Sequence, residues 1–246
     1  MYSALLYISC VLCMTVYMAL VSVLYGISLL LPARRRAHVM RGLALGLGKS
    51  VIHFGIRPFV KVVYTDAADA DLPGIYVCNH RSGLDAFLMA SFDKEMIQIV
   101  NGWPMRLPFF GLHARLCGYL DATRTEPDEY APRFRELLAQ GVSIAVFPEG
   151  HRSQSREMGS FHSGIFRLAM ELRVPVYPCS IAGNEQFPDR SFRFHPAVGI
   201  RVRRLKPIMP EEFAGFPSAY VFKKKVRQLI AQECTRLDAE LDSLKK

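Results

Sequence analysis

His80 and Asp85 stand five residues apart in Val77-Cys78-Asn79-His80-Arg81-Ser82-Gly83-Leu84-Asp85. An aspartate bonded to one ring nitrogen fixes the tautomer of an imidazole and stabilises its protonated form. The other nitrogen is then free to take a proton from a hydroxyl. His80 follows an apolar, strand-like run and Asp85 opens a helix-like one, so a turn between them could close such a pair. The same spacing suits a plainer alternative, in which Asp85 caps a helix and His80 is a surface residue. A second cluster is Phe147-Pro148-Glu149-Gly150-His151-Arg152-Ser153. Gly150 lets backbone N–H groups come close to a ligand, and Arg152 can hold a phosphate through two parallel bonds. A Pro-Gly turn with an exposed ion pair accounts for the same residues. The third stretch, Gly118 to Arg124, says little by itself, and Arg124 there reads as a surface arginine.

These residues need elements to bring them together. Strand-like runs cover Phe59–Thr65, Gly74–Cys78, Met96–Val100, Ser143–Phe147, Val176–Ile181 and Ala197–Leu205. Helical patterns cover Leu84–Phe92, Leu107–Leu116, Glu129–Gln140, Gly164–Leu172 and Tyr220–Leu244. Short apolar runs alternating with helices predict an α/β fold, with a largely parallel or mixed central sheet flanked by helices. Functional loops in such sheets follow the strand ends, and His80 and Glu149 both sit directly after predicted strands. The last helix carries Val226, Leu229, Ile230, Leu237, Leu241 and Leu244 at helical spacing, which is a packing stripe.

The 246 residues suffice for one sizeable domain and an N-terminal appendage. Met1 to Leu31 has no charged side chain, and no Asp or Glu precedes Asp66. An apolar run of that length can span a bilayer. It is too long for a signal-peptide core, lacks a basic start, and is followed by arginines instead of a cleavage site. A retained single-pass anchor is expected, with Arg34, Arg35 and Arg36 holding the following domain on the cytoplasmic face. Residues 38–60 are apolar but interrupted by Arg41, Lys49 and Arg57, which suits either an interfacial helix or an amphipathic helix packed on the domain. The organisation predicted is a membrane segment over 1–58 and a catalytic domain over 59–246. The net charge of +9 is concentrated beside the apolar run, so its partner is expected to be an anionic bilayer and not nucleic acid. The six cysteines show no zinc spacing and read as buried thiols. No metal site is expected. The absence of a Gly-x-Ser-x-Gly elbow disfavours a hydrolase route through an acyl-serine.

In their order along the chain, Asn79-His80-Arg81-Ser82-Gly83-Leu84-Asp85, Arg124, and Phe147 through Ser153 resemble the 1-acyl-glycerol-3-phosphate acyltransferase (lysophospholipid acyltransferase) family. Val174-Pro175-Val176-Tyr177-Pro178, Pro108-Phe109-Phe110-Gly111 and Phe161-x-x-Gly164 add to the likeness. The resemblance implies that His80 is the general base for the free hydroxyl of a lysophospholipid and that Asp85 orients it. The alkoxide would attack an acyl-CoA or acyl-carrier-protein thioester, with no cofactor. Arg124, Glu149, Gly150 and Arg152 would shape the acceptor's phosphate site. Asn79, Ser82 and Ser153 would border the substrate, Ser82 chiefly as a support for its loop. The sequence departs from the family pattern at His151 (commonly Thr), Thr123 (commonly Asp), Asn101 and His162 (each often Lys). These departures fall on the acceptor side, so another lyso-lipid acceptor, or a non-catalytic lipid-binding protein on the same fold, is the alternative.

Overall fold

The computed structural model describes residues 1–107, 110–123, 127–189 and 191–245. Two helices lead, α1 (Tyr2–Ser28) and α2 (Ala33–Ser50), and α2 runs on into a wide π-helical turn over Val51–Ile56. Then follow β1 (Val62–Asp66), β2 (Ile75–Cys78), α3 (Asp85–Leu88), β3 (Met96–Val100), α4 (Phe110–Cys117) and β4 (Leu120–Asp121). The second half holds α5 (Pro127–Ala139), β5 (Ser143–Val146), α6 (Gly164–Leu172), β6 (Val176–Ala182), β7 (Ile200–Arg204) and α7 (Ala219–Ser243). The strands form one sheet in the order β1-β7-β6-β2-β5-β3-β4. Neighbours are parallel except β6 and β7, so β1 and β7 run against the other five. This is the mixed version of the predicted sheet.

Every residue of β2, β5 and β6 is buried. A strand covered on both faces needs no polar alternation, which explains the near-continuous apolar runs. Ile75, Val77, Ile144, Val146 and Val176 pack against the helices α5 to α7. Tyr76, Cys78, Tyr177, Cys179 and Ile181 point the other way, into a cluster with Leu6 of α1, Leu47 of α2 and Leu88 of α3. The N-terminal helices therefore share a core with the sheet.

The strand β4 was not among the predicted ones, the strand expected from Ala197 begins at Ile200, and two further elements differ. The helix expected over Leu84–Phe92 is a single α-turn followed by a 3₁₀ turn over Met89–Phe92, closed by Asp93 in a left-handed conformation at φ 52°. The strand expected from Phe59 begins at Val62, because Phe59 and Val60 are tied back to the carbonyl of Ile56 in a turn that contains Pro58.

Helix α1 is long and apolar enough to cross a membrane. One side docks on the domain: Leu6, Cys10 and Val21 are buried, the Ser3 hydroxyl accepts from the Phe194 N–H, and Tyr7 stacks edge-on against Phe194. The other side exposes Ile8, Leu12, Val16, Leu20, Val23 and Ile27.

Candidate active site

Parallel pairing of β2 with β5 on one side and β6 on the other brings three strand ends to one edge of the sheet. His80 follows β2, Glu149 follows β5 and Asn184 follows β6. Asp85 is fully buried, and its Oδ2 accepts from His80 Nδ1 at 2.7 Å and from the N–H groups of Arg81 and Ser82, both at 2.8 Å. The Asn184 amide donates to its other oxygen. Folding the short loop back over Asp85 is therefore what ends β2 and starts α3. A carboxylate only accepts, so the ring proton resides on Nδ1 and Nε2 is left as the basic nitrogen. The imidazole stacks on Phe147 at 4.5 Å between ring centres and is 20 % exposed.

Glu149 is also buried. Its two oxygens accept from the N–H of His80 at 2.7 Å and of Gly159 at 2.8 Å. Two further bonds, Ser153 N–H to His80 C=O at 2.8 Å and Gln154 N–H to Arg81 C=O at 3.1 Å, join the loops after β2 and β5. Asn79 bonds both backbone groups of Ile181, at 2.9 and 2.8 Å. The Ser82 hydroxyl donates to the Phe187 carbonyl at 2.6 Å, and that of Ser153 to Ser155 C=O at 3.1 Å. Asn79, Ser82 and Glu149 thus direct their polar atoms into the protein and hold the loop that carries His80.

Gly150 and Arg152 do face open space. With His80 they line a cavity of about 710 Å³. Gly150 has φ +73°, a conformation that glycine adopts without strain, and a Cβ there would lie 3.2 Å from His162 Nε2. The Arg152 guanidinium lies over Gly83, in the His80–Asp85 loop: a Cβ there would sit 3.1 Å from its Nη1. No side-chain hydrogen bond or ion pair engages it among the described residues. Asn101, Thr123, His162 and Arg167 lie on the same cavity wall. Arg124 lies outside the described residues, as do Pro108 and Phe109.

A second cavity, about 310 Å³ and walled mainly by apolar side chains, opens beside the first among α2, α3, β3 and α4. Gly83, Ala86, Gln98, Val100, Trp103 and Pro104 line both. An apolar pocket beside a base and a free cation suits an amphiphile with an anionic head.

Sequence reasoning passed over two positions that support the site. Asn184 stands just past a predicted strand, as His80 does, and that placement was its only signal. Arg81 is buried and bonds Asp238 of α7 through both terminal nitrogens, at 2.8 and 2.7 Å. Nothing local to either residue announces that pairing.

The profile of the family described as Acyltransferase matches residues 59–182, which include His80, Asp85, Glu149 and Arg152. The chain is 30 % identical over 184 residues to the chloroplastic 1-acyl-sn-glycerol-3-phosphate acyltransferase LPAT1 of Arabidopsis thaliana, covering 72 % of this chain and 50 % of that one. It is 26 % identical over 130 residues to a 1-acyl-sn-glycerol-3-phosphate acyltransferase of Pseudomonas aeruginosa, covering 51 % of each. The matches thus span about half the length of these curated relatives. In fold it is similar to the crystal structure of the 1-acyl-sn-glycerophosphate acyltransferase PlsC from Thermotoga maritima, with a TM-score of 0.75, 22 % identity, and 96 % and 95 % of the two chains covered. By its sequence blocks and its matched profile, the chain belongs to the acyltransferase family that includes the 1-acyl-sn-glycerol-3-phosphate acyltransferases.

Proposed function

We propose that this protein transfers a fatty acyl group from an acyl thioester, acyl-CoA or acyl-carrier protein, to the free hydroxyl of 1-acyl-glycerol-3-phosphate, forming phosphatidic acid. The observation that carries the reading is the buried Asp85 bonded to His80 Nδ1 at 2.7 Å, at a cavity that also holds an uncommitted arginine. His80 Nε2 takes the proton of the acceptor hydroxyl as its oxygen bonds to the thioester carbon. Asp85 stabilises the imidazolium that forms. The tetrahedral intermediate collapses with loss of the C–S bond, and the imidazolium returns its proton to the departing sulfur. Arg152 binds the acceptor phosphate, helped by His162 and Arg167 on the same wall.

Membrane association is supported by α1 and by Arg34–Arg36 in the first turn of α2, which favour the domain on the cytoplasmic face. A single-pass anchor is one geometry for α1. Its docking from Ser3 to Val21 favours a second, in which it lies in one leaflet along the domain. Labelling of a cysteine placed at Met1 from either side of sealed vesicles separates the two.

The function is tested with purified protein in phospholipid vesicles, labelled acyl-CoA or acyl-carrier protein, and a panel of lyso-lipids, with products identified by mass. Phosphatidic acid is the expected product, and His80→Ala lowers its formation at least about 100-fold. Near-normal turnover in folded His80→Ala protein would sink the reading. Stoichiometric lipid binding without turnover on any acceptor would favour a lipid-binding protein instead.

A further inference from the structure

Two exposed phenylalanines flank the outward side of α1. Successive helical positions differ by about 100°, so Tyr7 and Ser9 leave the helix on opposite flanks of the exposed Ile8. The Tyr7 hydroxyl donates to the carbonyl of Phe192, and the Ser9 hydroxyl donates to that of Phe54 at 2.9 Å. Phe192 is 62 % exposed and Phe54, in the π-helical turn after α2, is 70 % exposed. Phe192 has φ 58°, a left-handed conformation uncommon for a bulky side chain and better suited to asparagine or glycine. Its turn is firmly held. Asp189 Oδ1 accepts from the N–H groups of Ser191 and Arg193, both at 2.8 Å, and the Phe192 N–H donates to the Asp189 carbonyl at 3.0 Å. An aromatic ring is thus presented outward at a backbone cost that its own packing does little to offset. Arg193 follows it and Arg57 stands three residues after Phe54, both exposed, and among the described residues no carboxylate pairs with either.

We infer that Phe54 and Phe192 are lipid-contacting side chains that widen the outward stripe of α1 into one membrane-binding face, whose occupant is an anionic phospholipid leaflet. The inference rests on the membrane reading of α1 and not on the acyl-transfer chemistry. Continuity selects the lipid: both rings adjoin a helix long and apolar enough to enter a membrane. A broad apolar face rimmed by cations complements a leaflet, which is apolar below and anionic at its surface.

Trp103 is the only tryptophan of the chain, so Trp103→Phe protein carrying Phe192→Trp or Phe54→Trp reports on one position at a time. Each is bound to anionic phospholipid vesicles with plain or brominated acyl chains. Brominated chains should quench the emission at both positions, and equal emission from the two kinds of vesicle overturns the inference. In flotation, Phe192→Asn and Phe54→Gln should each lower vesicle partitioning about tenfold, the loss of one aromatic ring from the leaflet. Neither should lower the melting temperature, and Phe192→Asn should raise it, because asparagine takes the left-handed conformation more readily. Side chains kept for packing would do the reverse, with a lower melting temperature and unchanged partitioning, and that result overturns the inference. So does a lipid-free parent that self-associates and becomes monomeric with Phe192→Asn, because the face then meets a second copy. Flotation that neither substitution affects overturns the inference and leaves the membrane reading of α1 standing. A parent protein that does not float overturns both.

Discussion

Asp85 accepts four hydrogen bonds, from His80, two backbone N–H groups and Asn184. Asp85→Asn keeps its volume but introduces an NH₂ that must face one of those donors. It should lower kcat by about 10²- to 10⁴-fold with a much smaller change in KM, as measured by steady-state kinetics on folded protein. A fall of less than about threefold would mean that His80 does not need the carboxylate to act as base. Glu149→Gln poses the same conflict against two backbone N–H donors. It should destabilise the fold by about 1–3 kcal/mol in denaturant titration, besides loosening His80. His113 adds a pH signature. Burial lowers its pKa below the ordinary 6.5, so under acid the unfolded chain takes up a proton that the folded chain refuses. Stability at this site is full above that value and falls as the pH drops through it. His113→Leu should flatten that part of a melting-temperature curve, and an unaltered curve would contradict the shift. The meeting of His80 with Asp85 was legible because residue type and strand-end position coincide at His80. Glu149 has the look of a ligand-facing acid, yet its oxygens meet backbone groups, and those of Gly159 lie in a segment that no local pattern links to it.

At the scale of elements, the loop that carries His80 is tied to the far end of the chain. Arg81 and Asp238 are 157 positions apart and nearly buried, with side chains 3 % and 9 % exposed. Asp238→Ala leaves the guanidinium buried and deprived of its bidentate partner, a change that costs about 3–5 kcal/mol in comparable pairs. Thermal unfolding should show most of that loss, and Arg81→Met combined with Asp238→Leu should recover much of it. A double variant no more stable than Asp238→Ala would show that the pair itself, and not the Arg81 charge left with Glu185 alone at 3.4 Å, supports α7. The stripe that places Asp238 was readable. Val226, Ile230, Leu237 and Leu241 are buried, as their spacing predicts, while Leu244 falls past the helix end and is 57 % exposed. The sheet's strands were readable for the same reason, because a strand covered on both faces is a bare apolar run. Their order was not. The pairing of β1 with β7 joins Thr65 to Arg203 across 138 positions, and it depends on which apolar faces the helices leave uncovered. Likewise α3 gives way after one turn to the 3₁₀ turn that Asp93 closes in a left-handed conformation, which helical periodicity cannot express.

For the molecule as a whole, the question is how one helix can share the core and also make the membrane contact proposed for it. The absence of charge up to Leu31 made the apolar helix plain, but not that Leu6 and Cys10 belong to the same cluster as Tyr76 and Cys179 of the sheet. Contacts such as Ser3 with Phe194 cross 191 positions, so composition alone reads α1 as detached. Deleting α1 would open the core, and loss of membrane binding would then be confounded with unfolding. Substitution on the outward stripe avoids this. Val16 and Val23 are 63 % and 64 % exposed in the absence of lipid, so glutamate at either should change folding stability by no more than about 0.5 kcal/mol. In a bilayer each valine gains about 1.5 kcal/mol or more from burial, so Val16→Glu with Val23→Glu should reduce vesicle partitioning at least about 100-fold. Flotation with anionic phospholipid vesicles measures this, and a melting curve confirms the fold. High salt should weaken binding of the parent protein further, because Arg34–Arg36 each add about 1 kcal/mol at an anionic surface. Full flotation of the doubly substituted protein would mean that another face meets the lipid. The exposed stripe of α1 would then need a protein partner, and the acceptor would have to reach Arg152 from a different side of the molecule.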